Sequence, residues 1–512
     1  MASFSSFIKT NKYPSRDTFI KLFEGPFSWY TATLSVLIAV TIGSAYLLLI
    51  NLNDKLLVTV PARGGSLTEG VIGAPHFINP VLAATQTDVG LTRLVYAGLT
   101  KHTDDGTMVP DMAEGYTISP DGKNYEVRLK KTIYFHNKTA MTASDVLYTY
   151  EMLKDETLDV SNATYWQSIQ IEEIDPYTVL FRLPQADPTF LSKLTIGILP
   201  KAVWEPIAPA DFRTAAANLA PVGTGAFMVD AISYENNIPT EIILKDNPHV
   251  EEKPYLDELH IAFFANQEDL AQAFNDGSID FTASLLPAYI EKISDTNLST
   301  KRIETTTTIA LLRTRSEPNL DNASVVGILN HFIDKNDIIA TVEHGYGTAL
   351  NVPQGGLPLS SDDALSQLKP LGYVLENGIL KKRGVPVRLT IAIENSESML
   401  ETAHLLQRTL GTIGIGVSIQ AFDQGAFQTG VRSGEYQLII TNSSDTITPP
   451  GYQSVIQLYT KTLPYVLNAR AIGIAETIPI AAAERYDHST KWYVYTEKLW
   501  TWFAPKETSK EK

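Results

Sequence analysis

The sequence predicts an α/β protein of more than one domain, preceded by a single transmembrane helix, and three observations carry that reading. At 512 residues the chain exceeds the length at which one hydrophobic core keeps growing. Many short runs with a period of two alternate with amphipathic helical patterns, which is the signature of a mixed α/β architecture. Residues 25–53 contain no charged side chain.

That charge-free run sets the topology. Its core, Trp29 to Leu52, is long enough to cross roughly 30 Å of hydrocarbon at about 1.5 Å per residue. Trp29 and Tyr30 would lie at the near interface, where aromatic belts form. Lys9, Lys12, Arg16 and Lys21 precede the run, so the N-terminal segment should stay cytoplasmic and the large remainder should lie outside. A cleaved signal peptide would carry a shorter apolar region and a small-residue cleavage site, and no convincing site follows Leu52. An uncleaved anchor in the lipid bilayer, residues 29–52, is therefore expected.

Composition removes several functional classes. The net charge of −16 argues against a nucleic-acid surface, which needs clustered Lys and Arg. The absence of Cys removes disulfides, Cys-ligated metals and thiol catalysis. The nine His are scattered without an HxxxH or HExxH pair, and no nucleophile elbow, P-loop or GxGxxG occurs. No cofactor, no metal and no catalysis are expected.

The richest segment is Tyr125 to Leu153. Tyr125, Val127 and Leu129 alternate with Glu126, Arg128 and Lys130, which predicts a strand. A polar turn, His136-Asn137-Lys138-Thr139, follows. Thr142 and Asp145 then have the spacing of a capping box, and Val146, Tyr150 and Leu153 recur at helical intervals. Phe135-His136 and Thr142-Ala143-Ser144-Asp145-Val146, with this strand, resemble a segment of the family-5 solute-binding proteins, although Asn137-Lys138 stands where that family has Asp-Gly. Tyr96-Ala97-Gly98-Leu99-Thr100, Gly223-Thr224-Gly225-Ala226-Phe227, Pro254-Tyr255-Leu256-Asp257, Gly345-Tyr346-Gly347-Thr348-Ala349 and Gly434-Glu435-Tyr436-Gln437-Leu438 are similar to further family segments, in the same order. Taken alone, Gly223-Thr224-Gly225 reads as a tight turn before a strand, since no Lys-Ser/Thr follows it.

The resemblance implies a two-lobed periplasmic-binding-protein-like fold with an extra subdomain. Its segments would be a cytoplasmic stretch 1–28, the anchor 29–52, a linker 53–65, the first part of lobe I at 66–100 and the extra subdomain at 101–220. The second part of lobe I would follow at 221–304, lobe II at 305–450, a return to lobe I at 451–505 and a tail at 506–512. The implied function is capture of an oligopeptide or similar small solute by a monomeric receptor, which closes its lobes and delivers the solute to the permease subunits of an ABC importer. A non-transport sensor or surface module with a degenerate pocket is the alternative.

Candidate ligand contacts also follow from the resemblance. The family's acidic residue, which meets a peptide ammonium group, lies in a Trp-x-x-Asp-Tyr stretch shortly after the Gly-Glu-Tyr strand. The matching region here is Thr441 to Thr446, which lacks the Trp and places Asp445 one position out of register. Asp445 is the first nominee and Asn442 the second, offering an amide beside it. Asn79, next to a first-lobe turn, and Thr305, at the start of the Thr305–Thr308 run near the hinge, complete the set.

Overall fold

The computed structural model describes residues 28–103, 107–158, 160, 163–294, 299–314, 322–352, 357–443, 452–474 and 482–503. The chain divides into two compact units, Met1–Ala62 with Tyr495–Lys512, and Arg63–Val494.

The smaller unit is built on helix α1 (Ser28–Leu56), whose stretch Thr31–Leu48 is long and apolar enough to cross a membrane and is nowhere buried. Leu34, Leu37, Val40 and Leu47 lie open along it, an arrangement suited to an apolar surrounding. The Thr41 hydroxyl donates to the Leu37 carbonyl, so that polar group is satisfied within the helix. The helix runs directly into strand β1 (Leu57–Ala62), which pairs antiparallel with residues 495–500. Residues 57–62, expected as linker, are thus a strand; Leu57, Val58 and Val60 supply its β-forming side chains.

In the larger unit, β2 (Ser66–Ile72) leads to helix α2 (Gln86–Val95), whose first turn is closed by a Thr85–Asp88 capping box. A short hairpin, β3 (Thr100–His102) and β4 (Met108–Pro110), precedes a four-stranded antiparallel sheet. Its strands β5 (Ala113–Ile118), β6 (Asn124–Leu129), β7 (Gln170–Asp175) and β8 (Thr178–Arg182) lie in the order β5-β6-β8-β7. The alternation in β6 buries Tyr125, Val127 and Leu129.

Helix α3 (Ala143–Met152) follows the polar turn, and Asp145 anchors it in two directions. One carboxylate oxygen accepts from the Thr142 N–H (2.8 Å) and hydroxyl (3.0 Å), the other from the Lys201 N–H (2.9 Å). His136 holds the turn against the Gly223-Thr224-Gly225 segment. Its Nδ1 accepts from the Gly223 N–H (3.2 Å), so Nε2 carries the proton that reaches the Gly225 carbonyl (3.2 Å). A Cβ on Gly223 would collide with the Val95 carbonyl oxygen, which is why this turn can pass so close to the end of α2.

Strands β9 (Phe227–Glu235), β10 (Ile238–Asp246) and β11 (Glu258–Phe264) then extend the first-lobe sheet, β11 lying parallel to β2. Helix α4 (Gln267–Asn275) and the short β12 (Phe281–Thr282) follow, β12 also parallel to β2. Strand β13 (Ser299–Thr314) leaves for the second lobe. There the chain forms helices α5 (Ala323–Phe332) and α6 (Lys335–Val342), then β14 (Gly347–Ala349). A small antiparallel sheet of β15 (Tyr373–Glu376), β16 (Ile379–Lys382) and β17 (Val385–Pro386) comes next. Three parallel strands follow: β18 (Arg388–Glu394), β19 (Gly416–Phe422) and β20 (Leu438–Ser443), with helix α7 (Glu397–Thr412) between the first two. Strand β21 (Tyr452–Leu467) returns, a 3-10 segment (Ala482–Lys491) packs on the first lobe, and β22 (Tyr495–Trp500) closes onto β1.

The central sheet is continuous through both lobes in the order β19-β18-β20-β13-β21-β12-β2-β11-β10-β9. Separate cores flank it. Leu67, Phe227, Ile261 and Phe281 belong to the first-lobe core, and Ile309, Ile328, Ile391, Leu406 and Leu458 to the second.

Burial pushes the His136 imidazole down to about 4, against about 6.5 in an unfolded chain. The folded state therefore holds it neutral, and the unfolded state takes up the proton first. Its contribution is complete above about pH 6.5 and declines as pH falls toward 4, by up to about 3 kcal/mol. Urea midpoints at pH 7 and pH 4.5 should differ more in the parent protein than in His136→Gln; equal differences would contradict this.

Candidate functional site

Strand directions locate the cleft between the lobes. Strand β13 starts beside the first lobe, where Ser299 opposes Leu467, and ends in the second, where Thr314 opposes Tyr452. Leu467 also opposes Phe281 of β12 in antiparallel register, so β2, β11 and β12 run in the same sense as β13, toward the second lobe. Strand β20 runs antiparallel to β13, and β18 and β19 run with β20, so all three point back toward the first lobe. The carboxyl ends of both sets of parallel strands thus face one another. Open α/β sheets bind ligands outside the carboxyl ends of their strands.

The rim of this cleft is polar and open. Gly73 follows β2, Asn266 follows β11, and Asn395 and Asp423 follow β18 and β19, all exposed. The Asn395 N–H donates to the Phe422 carbonyl (2.7 Å), tying the two second-lobe rims together.

The two lobes are joined by the paired strands β13 and β21. Their register runs without interruption from Ser299 to Glu304, shifts before Thr308, and shifts again between Ile309 and Ala310 and between Leu311 and Leu312. Charged clusters hold the ribbon on each side of the first shift. Toward lobe I, Asp280 accepts from Asn468 (2.8 Å), Arg470 (3.0 Å) and the Thr68 N–H (2.9 Å). Toward lobe II, Glu343 accepts from the Tyr459 hydroxyl (2.8 Å) and lies 3.0 Å from the Lys461 ammonium. Burial pushes the Tyr459 phenol up, and the Glu343 charge adds to it, so the phenol stays a donor. The ribbon is regular and held by Asp280 at its first-lobe end and irregular from Glu304 to Leu312, where Glu343 holds Tyr459 and Lys461, the irregularity expected of a hinge.

The predicted contacts are placed as follows. Thr305 lies in β13 within the irregular stretch, and Asn442 lies in β20 opposite Ile309. Both backbone positions are therefore at the waist beneath the cleft. Asp445 lies outside the described residues. Asn79 is fully buried; its amide oxygen accepts from the Val81 N–H (2.9 Å) and its nitrogen donates to Asn218 (3.2 Å). Those bonds help form the turn ahead of α2.

Sequence reasoning missed the buried ion pair below the cleft floor. Arg485 donates to Glu69 on β2 through Nη2 (2.7 Å) and Nε (3.2 Å), and also to the Tyr486 hydroxyl (2.7 Å). Arg93 of α2 donates through Nη1 to both carboxylate oxygens of Asp487 (2.7 and 2.9 Å). Partners about four hundred residues apart leave no local pattern to find. A cavity of 480 Å³ lies beside the carboxyl end of α2, lined by Arg93, Tyr96, Lys101, Asp111, Lys130 and Glu252 among others. Its charges are paired: Lys101 stands 3.5 Å from Asp111 and 3.6 Å from Glu252.

Two α/β lobes on a two-stranded waist, with strand ends opposed, define a solute-binding clamp. The profile of the bacterial extracellular solute-binding proteins, family 5 Middle, matches residues 107–463, and the chain belongs to that family. The oligopeptide-binding protein AppA of Bacillus subtilis is 25% identical over 388 residues, covering 72% of this chain and 70% of the relative. The nickel-binding periplasmic protein of Escherichia coli is 22% identical over 413 residues, covering 75% and 74%. The fold is shared with AppA from Bacillus subtilis in complex with a nonapeptide, at a TM-score of 0.63 and 19% identity over 85% of this chain and 100% of that one. It is shared equally with NikZ from Campylobacter jejuni in complex with Ni(L-His), at 0.65 and 19% over 84% and 99%.

Replacing Arg485 by Met leaves Glu69 buried without its cation and should cost about 3–5 kcal/mol in urea unfolding. Replacing Glu69 by Met as well should restore much of that loss. Equal stability of the single variant and the parent would remove the pair from the account.

Proposed function

We propose that this chain is a membrane-tethered extracellular receptor that captures an oligopeptide or similar small solute between its lobes and delivers it to an ABC importer. The observation that carries the reading is the opposition of strand carboxyl ends across an irregular two-stranded waist. Family membership supports solute capture, and relatives named for oligopeptide, di/tripeptide and nickel binding define the range of solutes. Binding energy selects the closed arrangement of the lobes, and nothing in this process requires bond chemistry.

In this reading Asp445 meets the ammonium group of the solute, Asn442 supplies hydrogen bonds beside it, and Thr305 contributes from the waist. The burial of Asn79 supports a turn-forming role for it instead. Helix α1 holds the receptor in the bilayer, with the basic residues before it on the cytoplasmic side. A tether raises the concentration of receptor near its permease without any new contact.

Mass spectrometry of the full chain, purified natively in mild detergent, should reveal resident peptides, and added peptides should raise its melting temperature. Asp445→Ala should weaken peptide binding by about tenfold or more, as loss of a desolvated charge partner does. An empty protein indifferent to peptides would overturn the peptide reading and favour a sensor or surface module. Unchanged affinity in Asp445→Ala would remove that residue from the site.

A further inference from the structure

Strand β22 does more than cover β1. It runs antiparallel to β1, with Leu57 opposite Trp500 and Ala62 opposite Tyr495, so it travels back toward the end of α1. The chain continues in that direction. The Thr501 N–H donates to the carbonyl of Leu56, the last residue of the helix (2.8 Å), and the Phe503 N–H turns back to the Trp500 carbonyl (2.8 Å). Three aromatic rings are thereby set beside the final turn of the helix. Trp500 is 37% exposed, Trp502 62% and Phe503 70%. Trp500 and Trp502 lie 4.8 Å apart between ring centroids, and Trp502 and Phe503 6.3 Å.

The spacing along the helix gives this cluster a place. Trp29, 56% exposed, marks the opposite end of α1. From Trp29 to Leu56 the helix rises about 40 Å at about 1.5 Å per residue, close to the roughly 40–45 Å of a bilayer including its headgroups. Trp29 and the cluster around Trp502 therefore sit one membrane thickness apart. Trp is enriched at both such interfaces because its ring is apolar and its N–H is polar. Exposed, clustered rings at this height fit the headgroup region of a lipid surface.

We propose that Trp500, Trp502 and Phe503 form the outer aromatic belt of the anchor and insert into the headgroup region of the outer leaflet. The proposal rests on the tethered reading given above. It makes the membrane contact two-part: a helix near the start of the sequence and a hydrogen-bonded aromatic turn some four hundred and fifty residues later, joined through β1 and β22.

The chain has no Cys, so single Cys substitutions accept a nitroxide label cleanly. The full chain would be reconstituted in vesicles of equimolar phosphatidylglycerol and phosphatidylethanolamine and labelled at Phe503→Cys, Thr496→Cys or Val40→Cys. Accessibility to oxygen and to a water-soluble nickel chelate would then be read by power saturation. The expected result is an oxygen-to-nickel ratio severalfold higher at 503 than at 496, and higher still at 40. A label at 503 as open to the nickel chelate as one at 496, with 40 still lipid-protected, would overturn the belt and leave the tether standing. A water-exposed label at 40 would overturn both.

Discussion

The pairing of β13 with β21 is the constraint on which the rest of the structure depends. Sixteen residues on each strand form a ribbon that lies in the middle of the central sheet and belongs to both lobes. Because its strands are antiparallel, and β20 and β12 each pair antiparallel with the ribbon strand beside them, the parallel strands on either side point at one another. A cleft between carboxyl ends is thus a consequence of strand direction, before any side chain is considered. The ribbon also limits the motion available. Interstrand hydrogen bonds resist shear, so a bend of this ribbon is easiest where the register breaks, at three places between Glu304 and Leu312.

Charged clusters tie the ribbon to both lobes. Asp280 fixes the ribbon to β2 of the first lobe, and Glu343 fixes it to the turn after α6 in the second. The Arg485–Glu69 pair secures the 3-10 segment beneath the first-lobe strands. Removing one partner of such a pair is far more damaging than replacing both, since the survivor is left charged in a low-dielectric interior. The proposed aromatic belt would add a constraint of another kind, fixing the depth of α1 and the β1–β22 pair in the bilayer.

The fold was legible in the sequence where local chemistry and long-range contact coincide. Tyr125, Val127 and Leu129 showed the strand by alternation, and Asp145 showed the helix start that it does cap. Gly223-Thr224-Gly225 read as a tight turn, and the structure gives the steric reason in the Val95 carbonyl. Less was legible where partners are remote. Residues 57–62 look like a linker until β22 returns to pair with them. Glu69 and Arg485 carry no local mark of each other. Asn79 beside a turn reads equally well as a ligand amide or as the group that builds the turn; burial and its bond to Asn218 favour the second. The resemblance directed attention to Asp445, which lies outside the described residues, beyond the described end of β20 at Ser443.

Closure across the waist can be measured most directly as a distance. Spin labels placed at Asn266→Cys and Asn395→Cys, on the exposed rims of the two lobes, report the width of the cleft by pulsed dipolar spectroscopy. Addition of the solute recovered from the native protein should shift the distance distribution to shorter values, while a pair confined to one lobe, Asn395→Cys with Asp423→Cys, should not change. An unaltered distribution across the cleft with bound solute would contradict a clamp hinged at β13 and β21.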